Sequence, residues 1–236
     1  VKRRVEAQLD PAGKTALRFK QARISEQNLK DPRGAIEALE EIAQDSAAPF
    51  KALVNLERLY AEVGRHDDVL LLLERQLGSA PDSPPSGGGE WRSDTELHHR
   101  IGVVAKKHLG DVERALDEFR TTLSLDSTYQ PTIDELESMV EDADLRARAA
   151  EILEPVYLAR VDWRKVMHTL EVRLLDAQDP DDRRSLLTRI AGMHEDEARD
   201  LEKALATYAR LLGDDPASEE TWRELERISR TGSLQK

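Results

Sequence analysis

Apolar residues recur at spacings of three and four along most of the 236-residue chain, the period of a helix with one buried face. The pattern is clearest over 183–230. Leu186, Leu187, Ile190 and Met193 mark one helix. Leu201, Ala204, Leu205, Tyr208, Leu211 and Leu212 mark a second, closed by Asp214-Asp215-Pro216 because proline cannot extend the helix before it. A third carries Trp222, Leu225 and Ile228 on the side expected to pack. The same pattern predicts helices over 12–29, 32–44, 49–63, 66–77, 94–108, 112–123, 130–141, 144–160, 163–176, 181–198, 201–212 and 217–230, with 1–9 as the end of one more. This is an all-α chain of about 12 or 13 helices. Pro155 falls inside the 144–160 segment, where its missing N–H predicts a bend near 151–155 or two short helices.

The helices repeat. Moved back by 169 residues, the last stretch falls on 14–59 without a gap: Asp200 on Asp31, Ala204-Leu205 on Ala35-Ile36, Leu225-Glu226-Arg227-Ile228 on Leu56-Glu57-Arg58-Leu59. A third copy, with Asp111, Ala115-Leu116, Leu136-Glu137 and Met139, lies 80 residues after the first. Such units bury their apolar faces only by stacking on one another, which gives a solenoid. In each copy a small residue precedes a large one by a helical turn: Ala35 and Leu39, Ala115 and Phe119, Ala204 and Tyr208. That pairing lets two helices approach closely, so all three alanines are expected to be buried. Glu57, Glu154 and Glu226 recur in register and are expected to pair, partly buried, with arginines of neighbouring helices; lining a surface is the other reading.

The series Asn55-Leu56-Glu57-Arg58-Leu59-Tyr60, Gly64-Arg65-His66, Val69 and Leu73 resembles the tetratricopeptide repeat family. So do Ile152-Leu153-Glu154-Pro155-Val156-Tyr157, Asp162-Trp163, Val166 and Leu170, and the closing set Ala204, Tyr208, Leu211 and Pro216. The resemblance covers nearly all of the chain except 78–93 and looks closest to long, Arg- and Glu-rich bacterial members. Two features depart from it: Glu57, Glu154 and Glu226 stand where a small residue is usual, and three turns are one residue longer. The resemblance implies a right-handed α-solenoid of antiparallel helix pairs whose first helices line a concave face. Carried over, that face includes Lys51, Val54, Arg58 and Ala61, then His99, Val103 and Lys106. Further on it includes Thr188, Gly192 and Glu195, and finally Arg223, Arg227 and Arg230. The Lys and Asn pattern that grips a C-terminal carboxylate in chaperone-binding members is not visible.

Composition narrows the function. Charged residues make up 35 % of the chain, aromatics 4 %, and the net charge is −12. Arginine is interleaved with acids rather than gathered into the basic stripe that nucleic acid needs, so no nucleic-acid partner is expected. There is no cysteine for a disulfide or thiolate site. The longest apolar run, 69–73, falls far short of the roughly 18 residues of a membrane span. His98-His99 and His108 read as surface histidines, since neighbours on a helix point about 100° apart. His194-Glu195-Asp196-Glu197 lacks the zinc-helix spacing, and Gly87-Gly88-Gly89 lacks the Lys-Ser/Thr of a phosphate loop. No cofactor and no catalytic set is expected.

The expected organisation is helical repeats over 1–77, a Pro/Gly-rich flexible loop over 78–93, repeats over 94–230 and a frayed tail over 231–236. Trp91 leaves open a loop that folds over the groove. The expected function is a scaffold that holds a protein or peptide. Arg223, Arg227 and Arg230 share one helix face and would draw an acidic partner, unless nearby glutamates neutralise them. The alternative is self-association through the ends of the array. A cytoplasmic location is expected. A periplasmic one stays open, because the chain starts at Val1 and 1–10 reads as a helix whose beginning is missing.

Overall fold

The computed structural model describes residues 10–44, 49–77 and 92–234, with backbone alone from 231. The sequence readings on 1–9, on 78–91 with Trp91, and on 235–236 lie outside the described residues. Twelve α-helices follow one another, with no strand among the described residues: α1 (Pro11–Gln27), α2 (Pro32–Ala43), α3 (Phe50–Glu62), α4 (His66–Leu77), α5 (Asp94–Val104), α6 (Val112–Leu125), α7 (Gln130–Val140), α8 (Arg146–Ala159), α9 (Trp163–Asp176), α10 (Pro180–Asp196), α11 (Leu201–Asp214) and α12 (Glu219–Leu234). Aspartates start many of them. The Asp10, Asp31, Asp162, Asp179 and Asp200 carboxylates accept first-turn N–H groups that have no partner within the helix.

Five helices end in the same way. Lys30, Gly64, Gly110, Val161 and Arg199, after α1, α3, α5, α8 and α10, all have φ between 50° and 76°. The N–H of the following residue then turns back into the helix: Asp31 to Ser25 O, Arg65 to Tyr60 O, Asp111 to Ala105 O, Asp162 to Tyr157 O and Asp200 to His194 O, at 2.8–3.0 Å. This left-handed closure reverses the chain into the next helix. The extra residue seen in sequence is the difference between reaching back five residues and six. In α5 it is taken up by a π-helical segment, Ala105–Leu109.

The chain divides into two compact units, Val1–Leu125 and Asp126–Lys236. The first holds α1–α6 and the second α7–α12, and within each unit every helix packs on the one before it. Short turns make such neighbours antiparallel. Ala35, Ala115 and Ala204 are fully buried, as the small-then-large pattern requires. The large partner is accommodated from the other helix too. A Cβ on Gly102 would lie 2.6 Å from Phe119 Cε1, so the missing methyl makes room for a ring; the copies hold Ala22 with Leu39 and Ala191 with Tyr208.

Four expectations change. Of the two outcomes expected at Pro155, the pair of short helices is not formed: α8 is one helix, with Pro155 on its exposed side. The 80-residue shift placed Glu137 with Glu57, but its contacts match those of Glu40, so α7–α11 repeat α2–α6. α12 continues as helix to Leu234. On it Ile228 is fully buried and Leu225 half-buried, but Trp222 is 57 % exposed and donates its indole N–H to Pro216 O at 3.2 Å.

Candidate interaction clefts

Each unit is pinned by a buried glutamate. Glu57 on α3 accepts from Arg92 Nη1 at 2.5 Å and from Arg100 on α5. Glu154 on α8 accepts from Arg173 Nη1 on α9 at 2.6 Å and from Arg189 on α10. Both glutamates are only 6 % exposed. Two guanidinium groups per carboxylate satisfy a charge that would otherwise be costly to bury. Glu226, the third in register, lies at the surface and pairs with Arg230 of its own helix.

A tyrosine one turn later repeats in the same way. Tyr60 Oη donates to Glu40 at 2.8 Å under the Arg65 guanidinium, and Tyr157 Oη donates to Glu137 at 2.6 Å under Lys165. Burial, then the bond to a carboxylate, pushes both phenols above the usual tyrosine range. The bonds from Lys165 and Tyr157 hold Glu137 below the usual glutamate range.

Over this floor each unit opens a cleft. The first, of about 410 Å³, is lined by α3 (Val54, Arg58, Ala61), α4 (His66, Val69) and the α5 side (Arg100, Val104, His108). The His66 and His108 rings stack at 3.9 Å and 11°. Nitrogen lone pairs lie in their ring planes, so rings stacked face to face do not converge on one ion. The second cleft, of about 370 Å³, has α8 (Leu158), α9 (Trp163, Val166) and α10 (Arg189, Gly192, Met193) as walls, with Val161 at the turn and Asp196 and Glu197 at the rim. Through the repeat, Leu158, Trp163, Val166, Arg189, Met193 and Glu197 stand where Ala61, His66, Val69, Arg100, Val104 and His108 line the first cleft.

Of the groove residues expected from sequence, Val54, Arg58, Ala61 and Gly192 line these clefts. Lys51 is exposed one turn before Val54. His99, Val103 and Lys106 lie on the strip beside it: His99 sits 6.0 Å from the Phe119 ring of its own helix pair, while Arg100, Val104 and His108 face the cleft. Thr188 bonds Arg184 O, and Glu195 is held by Arg227 through two bonds of 2.6 and 2.7 Å. The α12 arginines share a face, but each meets an acid: Arg223 meets Glu219, Arg227 meets Glu224 as well as Glu195, and Arg230 meets Glu226. Arg58 is likewise bound by Glu26 and Glu62. The pairs Glu26–Arg58 and Glu195–Arg227 are one contact repeated through the 169-residue shift. Among the described residues no group of three or more metal-ligating side chains comes together, and no helix is long and apolar enough to cross a membrane.

A tetratricopeptide repeat family model matches residues 52–85, the stretch that begins in α3 and contains α4. Over 52–85 the chain is similar to one tetratricopeptide repeat. The matched repeat supplies Val54, Glu57, Arg58, Ala61, His66 and Val69 to the first cleft. No curated protein matches the sequence. Among solved structures, the TPR domain of P58(IPK) is 17 % identical with a TM-score of 0.41, covering 100 % of this chain and 70 % of that one. A TPR repeats protein (BF2334) from Bacteroides fragilis NCTC 9343 is 8 % identical with a TM-score of 0.39, covering 92 % and 98 %. The TPR2AB-domain:pHSP90 complex of yeast Sti1 is 14 % identical with a TM-score of 0.37, covering 92 % and 83 %.

Proposed function

We propose that this chain is a non-enzymatic protein-interaction scaffold, whose clefts hold segments of a protein or peptide partner. The observation that carries this reading is the recurrence of a cleft between equivalent helices in both units, each over a buried glutamate held by two arginines, with different side chains on its walls. A constant framework with variable lining is how stacked repeats form binding surfaces. The lining offers shape, apolar contact and charge, and no nucleophile set beside a base. An acidic peptide drawn by Arg58, Arg223, Arg227 and Arg230 would first have to displace the glutamates that already hold them. Light scattering over a concentration series tests the scaffold reading against assembly through the array ends. A mass that stays at 26.6 kDa, with a defined partner retained from lysate, is the expected result. Mass that grows with concentration favours assembly.

A further inference from the structure

The two clefts form an internal comparison. At four positions the second unit carries a larger apolar side chain than the first: Leu158 for Ala61, Val161 for Gly64, Trp163 for His66 and Met193 for Val104. Much of the framework beneath is kept: Val166 stands for Val69, Arg189 for Arg100 and Glu154 for Glu57, although the second arginine on the glutamate is Arg173 here and Arg92 there. Framework stability does not ask for the first two of these enlargements. Leu158 is 51 % and Val161 82 % exposed. Val161 moreover has φ 55°, a left-handed conformation that β-branched residues rarely adopt and that glycine takes freely in the other unit. An exposed valine held in strain at the edge of an apolar cleft points to function.

The charges around it choose the occupant. Arg189 is held by Glu154, so it offers little to an anion. Asp196 and Glu197, at the other rim, are exposed and join no ion pair among the described residues. They also sit at the carbonyl end of α10, the negative end of its dipole. Resting on the scaffold reading, we propose that the second cleft takes a peptide segment with one large aliphatic or aromatic side chain and a Lys or Arg within a residue or two of it. The apolar side chain enters between Leu158, Trp163 and Met193, and the cation meets Asp196 and Glu197.

The test is selection of random heptapeptides displayed on phage against the immobilised full chain. It is repeated on the Leu158→Ala, Val161→Gly, Trp163→His, Met193→Val variant, which copies the first cleft into the second with residues its framework already tolerates. Circular dichroism melting checks that both proteins are folded. The expected result is enrichment of an apolar residue beside Lys or Arg. Affinity should drop roughly tenfold or more in the variant, the loss expected when a Leu-sized side chain is no longer buried. Enriched peptides that are acidic, or lack an apolar anchor, overturn the proposed chemistry and leave the scaffold reading standing. Enrichment that survives in the folded variant places binding elsewhere and overturns the cleft. No enrichment overturns the proposal. Concentration-dependent growth in light scattering that the variant abolishes gives the cleft to a second copy and overturns both readings.

Discussion

At Gly102 the absence of one methyl group decides how closely two helices approach. Alanine is the better helix former by about 1 kcal/mol, so propensity alone favours Gly102→Ala. The added Cβ would lie 2.6 Å from the ring of Phe119, which is fully buried. Overpacking should win, and the variant should lose roughly 1–3 kcal/mol in urea unfolding. Gly192 gives the opposite sign: nothing lies within 4 Å of its added Cβ, so Gly192→Ala should gain about 0.5–1 kcal/mol. Equal shifts for the two would show that α5 and α6 are not packed as described. At this scale the sequence showed less than the structure. It placed Arg58 and Arg227 on exposed faces, but not Glu26 and Glu195 opposite them, because those partners come from another helix. It also missed Arg100 and Val104 by one residue, since a face carried over from a family fixes a helix only to within about 100° of rotation.

Between elements, buried and exposed ion pairs should behave differently. A double-mutant cycle on Glu154→Ala and Arg189→Ala should give a coupling of between about 1 and 3 kcal/mol, because Glu154 is buried between α8, α9 and α10. The same cycle on Glu219 and Arg223, both largely exposed within α12, should give under about 0.5 kcal/mol. Comparable couplings would remove the buried glutamates as register pins. Acid provides a second check. The bond from Arg227 holds Glu195 below the ordinary glutamate value of 4.5, so its contribution is complete above that pH and is lost as pH falls below it. Glu195→Gln should therefore flatten the decline of melting temperature below pH 4.5 and leave the curve above it parallel. An unchanged acid limb would show that the α10–α12 pair adds nothing. The elements themselves were legible. α4 and α9 fall where the apolar period puts them, because His66 and Trp163 follow clear breaks at Gly64 and Asp162. Pro155 does not divide its segment: it sits on the exposed side of α8, and the helix runs through it.

In the molecule as a whole, the repeat was visible as matched Asp, Ala and Glu, and so was the likeness of 152–170 to 55–73, but not its extension to Glu137 and Glu40. The 80-residue alignment fitted apolar spacing equally well, and the matching Tyr60–Glu40 and Tyr157–Glu137 contacts decided the register. The clefts were hidden for a related reason. Leu158, Val161, Trp163 and Met193 look like core residues in an apolar count, and their exposure appears only once α8, α9 and α10 are packed. The most direct test of the scaffold places a photo-crosslinking residue singly at Ala61 and Leu158, inside the clefts, and at Leu71 and Leu175, exposed on the other sides of α4 and α9. After irradiation in lysate, the account predicts adducts with the same partner from one or both cleft positions and none from Leu71 or Leu175. Adducts from Leu71 or Leu175 alone, or a product at twice 26.6 kDa, would contradict it.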